Sequence, residues 1–157
     1  MKRVLAENKS TVSETEMNEV LFDALRAVYR FERDKVAEFG LDYGAIYLLQ
    51  YLRRHAQAPI SQVAEEMRLP ISTVSRMLDR LEKEGLVVRV QDSADGRRFL
   101  LSLKPKAKNL VAKVERHSFE ALTANLTHLQ PDSVAVLVSA ARLLPAVLEV
   151  SHEKPEA

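Results

Sequence analysis

The sequence predicts a mainly α-helical chain bearing one small β-hairpin, on three observations. Apolar residues recur at helical spacing along most of its length. A short helix, a tight turn and a second helix are legible between residues 60 and 84. Directly after them the period changes to that of strands, on either side of an Asp95-Gly96 turn signal.

Each element has its own local signal. In the first helix Met17, Leu21, Ala24, Val28 and Phe31 draw one apolar stripe. Ser13 with Glu16 three residues on makes a capping box at its start, and Gly40 supplies a left-handed stop. A stripe this long needs a partner, in its own chain or in a second copy. Asp42 caps the second helix, with Leu41 and Ile46 as a hydrophobic staple and Ile46, Leu49 and Leu52 facing inward as far as about His55. Ala58-Pro59 is a break. Ser61 opens the short helix SQVAEEM, which stops at Arg68-Leu69-Pro70 because proline cannot continue it. Ser72 is the expected N-cap of a helix over 73–84, and Gly85 fits the position just past its end. LVVRV and FLLSL are the hairpin strands. Pro105 suits the first turn of a long helix reaching about residue 128. Pro131-Asp132 starts a last helix with Val134, Leu137, Val138, Ala141 and Leu144 on one side, and Pro145 is expected to kink or end it.

Composition narrows the class. A chain of 157 residues holds one ordinary domain, or a small head on an oligomerising frame. No stretch is expected to reach the roughly 18 apolar residues of a membrane span, and the N-terminus lacks the apolar run of a secretory signal, so a cytoplasmic location is expected. The absence of cysteine excludes disulfides, thiolate nucleophiles, zinc fingers and thiol-based redox sensing. The formal net charge of +1 hides an uneven distribution. Residues 53–104 carry ten basic against seven acidic side chains, whereas 1–52 carry seven against nine and 105–157 six against six. So small an excess points to a polyanion only once its place on the fold is known.

On a helical wheel of about 100° per residue, Val74, Leu78 and Leu81 point one way and Ser72, Arg76, Asp79 and Lys83 the other. Thr73, Ser75 and Arg80 flank the outer stripe. Small hydroxyls and an arginine in the first two turns suit a helix that enters a major groove. There Arg76 can donate twice to guanine and the hydroxyls can meet bases or phosphates. Asp79 would repel phosphate and is expected to pair with a neighbour. Arg97 and Arg98 follow the turn, which places a guanidinium at the hairpin tip, and Asp95 can hold Arg97. Taken singly, each residue also fits a solvated polar surface; the combination is what points to duplex DNA.

A short helix, a turn, a second helix and a hairpin in this order form a winged helix-turn-helix. The run LPISTVSRMLDRLEKEGLVVRVQDSADGRRFLLSL resembles the DNA-binding core of the MarR family of bacterial regulators, and the flanking helices match that family in order and length. The resemblance implies a single domain over 1–157, with a winged helix-turn-helix region at 42–103 and dimerisation helices at 13–40 and 105–152. It further implies an obligate homodimer on a pseudo-palindromic operator of double-stranded DNA, acting as a ligand-responsive repressor. By position, Ser72, Thr73, Ser75, Arg76 and Arg80 match the recognition helix. Asp95 and Arg97 match the family's Asp-x-Arg wing motif, with Arg98 beside them. Where the family often has Leu-Thr-x-x-Gly, this chain reads Leu103-Lys104-Pro105-Lys106-Ala107 and lacks the threonine cap. The competing reading is a winged-helix module for protein contacts without specific DNA binding.

The resemblance also implies a cleft for a small aromatic or phenolic acid effector, for which Arg33, Tyr43 and Tyr47 are the candidates. A surface ion pair of Arg33 and core packing of the tyrosines account for the same residues. His55, His117, His128 and His152 show no pair at metal-ligand spacing, and His117 with Glu120 offers only two ligands, so no metal or cofactor is expected. No Gly-rich phosphate loop, nucleophile elbow or triad suggests an enzyme.

Overall fold

The computed structural model describes residues 12–148 except 94 and 97. In chain order these form α1 (Glu14–Phe39), α2 (Tyr43–Arg54), β1 (Ala58–Pro59), α3 (Ile60–Met67), α4 (Ile71–Lys83), β2 (Val87–Gln91), β3 (Phe99–Leu103), α5 (Pro105–Leu126) and α6 (Pro131–Leu148). The chain divides into two compact units, Met1–Val114 and Glu115–Ala157, with the boundary inside α5.

The first unit holds the core. Leu48, Leu49 and Leu52 of α2, Val63 of α3, Val74, Leu78 and Leu81 of α4, Val87 and Leu101 of the sheet, and Val111 and Val114 of α5 are fully buried. Side chains of this size contribute about 1.5–3 kcal/mol each on burial, so the α3–α4 pair is held chiefly by the apolar faces it turns inward. β2 and β3 form the antiparallel hairpin, in register from Val87 opposite Leu103 to Gln91 opposite Phe99. Ala58-Pro59 is more than a break: as β1 it pairs with β3, Ala58 opposite Leu101, giving the sheet order β1-β3-β2.

Local chemistry sets the helix ends. Ser13 Oγ accepts from the Glu16 amide at 3.1 Å, and Gly40 closes α1 at φ 63°. Asp42 Oδ1 accepts from the Ala45 amide at 2.8 Å. Two expected caps are not used. α3 and α4 start from Pro59 and Pro70, without a side-chain cap at either. Pro70 is extended at φ −57° and ψ 141°, and its carbonyl accepts the amides of Thr73 at 2.9 Å and Val74 at 3.2 Å. The helix therefore begins at Ile71, and Ser72 lies inside the first turn with its hydroxyl free of capping duty. α3 ends before Pro70 at Arg68, which is left-handed at φ 51°. The Arg68 amide donates to Glu65 O and the Leu69 amide to Ala64 O, both at 3.0 Å, the pattern glycine usually serves. Gly85 at φ 72° closes α4 in the same way, its amide donating to Glu82 O and that of Leu86 to Leu81 O.

The long helices are less covered than their patterns suggested. In α1 only Lys35 is buried, ion-paired to Glu32 at 2.7 Å. Met17, Ala24 and Val28 of the expected stripe are exposed and Leu21 and Phe31 half-buried, while Val20, Phe22, Leu25 and Tyr29 are each at least 59% exposed. Among the described residues, packing leaves most of this helix bare. In the second unit α6 buries no residue. It runs on through Pro145 to Leu148 instead of ending there; a proline in the last turn removes one backbone bond and leaves the rest intact. Its 18 residues have a mean hydropathy of 1.5, so in length and composition it is able to cross a membrane, contrary to expectation. Ser133 and Ser139 interrupt the apolar run without lowering that mean enough.

Candidate nucleic-acid interface

α4 turns Val74, Leu78 and Leu81 into the core, each at 0% exposure, and this fixes which side faces out. Ser72, Arg76, Asp79, Arg80 and Lys83 are exposed, and Thr73 and Ser75 are half-buried at the margins. Helix geometry leaves the first amides, Ile71 and Ser72, without an intrahelical acceptor. Ile71 itself is 53% exposed. Among the described residues no acid holds Arg76, so its guanidinium is available to a ligand.

Arg80 is differently placed. Its Nη2 donates to Asp42 Oδ2, and its Nε lies 3.8 Å from Glu84. Counted with the outward-reading residues from sequence, it ties α4 to the N-terminus of α2. Burial pushes the Asp42 carboxyl up, but the Arg80 hydrogen bond, the Ala45 amide and the Arg80 charge together outweigh it and hold the group below 3.8. The same hydrogen bond raises Arg80.

The hairpin is fastened to α4 by a residue that sequence reasoning missed. Arg89, on β2, donates from Nη2 to Asp79 at 2.7 Å and from Nη1 to Glu82 at 2.7 Å, and its amide donates to the other Glu82 oxygen at 3.1 Å. Asp79 and Glu82 stand three residues apart on one helix face, and the planar guanidinium spans both. The expected partner of Asp79 is thus Arg89. Only the RV alternation within LVVRV hinted at it, because the pairing requires the strand to fold back over the helix.

Between Gln91 and Phe99 the hairpin loop is wider than a two-residue turn. The Asp92 amide donates to Arg98 O and the Arg98 amide to Asp95 O, both at 2.9 Å, while Gln91 Nε2 donates to Gly96 O at 2.6 Å. Asp95 and Arg98 are exposed. Arg97 lies outside the described residues. Arg98 and Phe99 also line a pocket of about 340 Å³ with Arg89, Ser75, Ser61 and Ile60, where α3, α4 and the hairpin root meet.

The effector candidates fall at two places. Arg33 and Tyr43 line a pocket of about 320 Å³ between α1 and α2, with Leu25, Val28, Tyr29 and Val36. Arg33 Nη1 donates to the Tyr29 hydroxyl at 3.4 Å and pairs with no acid among the described residues, and Tyr43 is 54% exposed rather than core. Tyr47 stacks on Tyr43 at 6.4 Å but donates its hydroxyl to Glu66 at 2.6 Å, beside a second pocket formed with Met67 and Arg68. That bond, with burial, pushes the Tyr47 hydroxyl up to about 12.

Residues 43–99, from α2 to the start of β3, match the MarR family model. The chain is 28% identical over 137 residues to the HTH-type transcriptional regulator MgrA of Staphylococcus aureus, covering 87% of this chain and 90% of MgrA. It is also 28% identical over 102 residues to YfiV, an HTH-type transcriptional regulator of Bacillus subtilis, where it spans only 64% of the relative's length and 65% of its own. A solved MarR family protein from Bacillus stearothermophilus superposes with a TM-score of 0.77 at 19% identity, over 95% of this chain and 98% of that one. Streptococcus pneumoniae FabT, solved in complex with DNA, gives 0.75 at 20% identity over 87% and 98%. The matched segment is the one that carries the inward-packed α4, its polar outer face and the clamped hairpin, and over this segment the chain is similar to the MarR family.

Proposed function

We propose that this chain is a transcriptional regulator that binds duplex DNA as a homodimer, with α4 in the major groove and the hairpin over the neighbouring minor groove. One observation carries the reading: the outer side of α4 presents Ser72 and an Arg76 that no acid among the described residues holds, with Thr73 and Ser75 at its margins and the hairpin fastened beside it. Ser72 and Thr73 supply hydroxyls and the first α4 amides suit phosphate, while Arg76 suits a guanine edge. Asp95, Arg97 and Arg98 at the hairpin take the wing role by resemblance, and a narrow minor groove favours the arginines. The fold shared with FabT, which was solved on DNA, supports this reading over a protein-contact module. Arg80, bound to Asp42, serves to orient α4.

The exposed apolar side chains support a second copy. Val20, Phe22, Leu25 and Val28 on α1, and Val136, Leu143 and Val147 on α6, exceed what a monomer leaves bare. Covering them in a dimer places two α4 helices on a two-fold operator. A soluble cytoplasmic protein satisfies α6 in this way without a bilayer. A repressor released by a small aromatic or phenolic acid is the regulatory form we favour, since the pocket at Arg33 and Tyr43 joins an apolar wall to a guanidinium.

Gel-shift titrations at fixed salt test the assignment. Arg97→Ala weakens binding to operator and random DNA alike, whereas Arg76→Ala mainly lowers discrimination between them. Unchanged affinity in both variants refutes it.

A further inference from the structure

The outer side of α4 carries two carboxylates, Asp79 and Glu82, on a helix that must approach a polyanion. Asp79 is half exposed, at 51% of its side chain, and Glu82 is 27% exposed. Left alone, each would repel nearby phosphates at a range where about 10 Å of screening at 0.1 M salt gives incomplete protection. Both are instead held by one guanidinium, through the 2.7 Å bonds from Arg89.

We propose that Arg89 is an electrostatic shield as well as a positioning residue: by neutralising Asp79 and Glu82 it lets α4 come close to the DNA backbone without itself touching DNA. The inference rests on the proposed DNA binding and adds a residue to it. Arg89 lies in the middle of β2 with its side chain 30% exposed, so its charge is spent inward on the helix. A purely mechanical clamp could be made by any well-packed pair. Two carboxylates on one cation leave a local charge of −1 with Arg89 present and −2 without it, and that difference is what the phosphates would meet.

The test uses the full chain and a duplex selected by it, with affinity measured between about 50 and 200 mM salt. Arg89→Gln is expected to weaken binding about tenfold at the lowest salt, and the deficit relative to the wild type is expected to narrow as salt rises, because repulsion is screened. The triple variant Asp79→Asn, Glu82→Gln, Arg89→Gln removes all three charges and is expected to recover most of the affinity that Arg89→Gln loses, although the clamp is gone. The double variant Asp79→Asn, Glu82→Gln, which leaves Arg89 uncompensated, is expected to bind at least as tightly as the wild type. It keeps the inference open to refutation should Arg89→Gln fail to fold. A triple variant as weak as Arg89→Gln, a deficit independent of salt, or a weakened double variant would mean that Arg89 only positions the hairpin, and would overturn the shield. If the wild type binds no duplex specifically, the proposed function fails and the shield with it; if it binds and the rescue fails, only the shield is lost.

Discussion

Asp42 performs two tasks with its two oxygens, and separating them gives a stringent test of how α4 is held. Oδ1 caps α2 through the Ala45 amide at 2.8 Å, and Oδ2 receives Arg80. Losing an N-cap oxygen costs about 1 kcal/mol. The ion pair joins side chains that are 49% and 50% exposed, which limits it to about 0.5 kcal/mol. Asp42→Ala should therefore lose about 1.5 kcal/mol, or about 3–6 °C in Tm for a protein of this size, while Asp42→Asn keeps the cap and loses about 0.5 kcal/mol. A double-mutant cycle with Arg80→Ala should return a coupling of about 0.5 kcal/mol. The pH dependence has a definite sign. The folded carboxyl lies below 3.8, so its contribution is complete above that value and is lost as pH falls through the folded one. The gap between wild type and Asp42→Asn should stay constant at neutral pH and close in acid, in urea unfolding at one protein concentration. Zero coupling, or a gap that persists in acid, would refute the pairing as the tie between α2 and α4.

Other consequences follow from the same geometry. Leu78→Ala empties a site at 0% exposure in the core face of α4 and should cost about 2–5 kcal/mol, read by chemical denaturation; a loss under 1 kcal/mol would contradict the packing. Arg68 holds φ 51° at the end of α3, so Arg68→Gly should stabilise by about 0.5–1 kcal/mol, and a lower Tm would show that the arginine makes compensating contacts. The Tyr47 hydroxyl, raised to about 12 by its bond to Glu66, should ionise well above the ordinary tyrosine value of about 10 in the ultraviolet titration difference between wild type and Tyr47→Phe, and fall back in Glu66→Gln. Because its neutral form is the bound one, that bond contributes fully below about pH 10 and is lost as pH rises towards 12; a Tyr47 step at about 10 would contradict it.

What was legible in the sequence was what a few adjacent residues decide. Ser13, Gly40, Asp42 and Gly85 each meet a demand of the backbone within four positions, and each sits where its chemistry placed it. The inward face of α4 was readable because period alone sorts Val74, Leu78 and Leu81 from Ser72 and Arg76. Serine signals misled at α3 and α4, where an extended proline with a free carbonyl starts the helix as well as a hydroxyl would. β1 exists only through its pairing with β3, more than forty residues on, and no two-residue segment announces that. The ties of Arg80 to Asp42 and of Arg89 to Asp79 and Glu82 are likewise tertiary, so the charges that looked free in sequence proved to be partly spent within the fold.

Selection from a random DNA pool by the full chain tests the central claim most directly. The account predicts a two-fold symmetric consensus whose half-sites lie about one helical turn apart, with guanine at a position that loses its preference in Arg76→Ala. An unenriched pool, or an asymmetric consensus bound by a monomer, would contradict it.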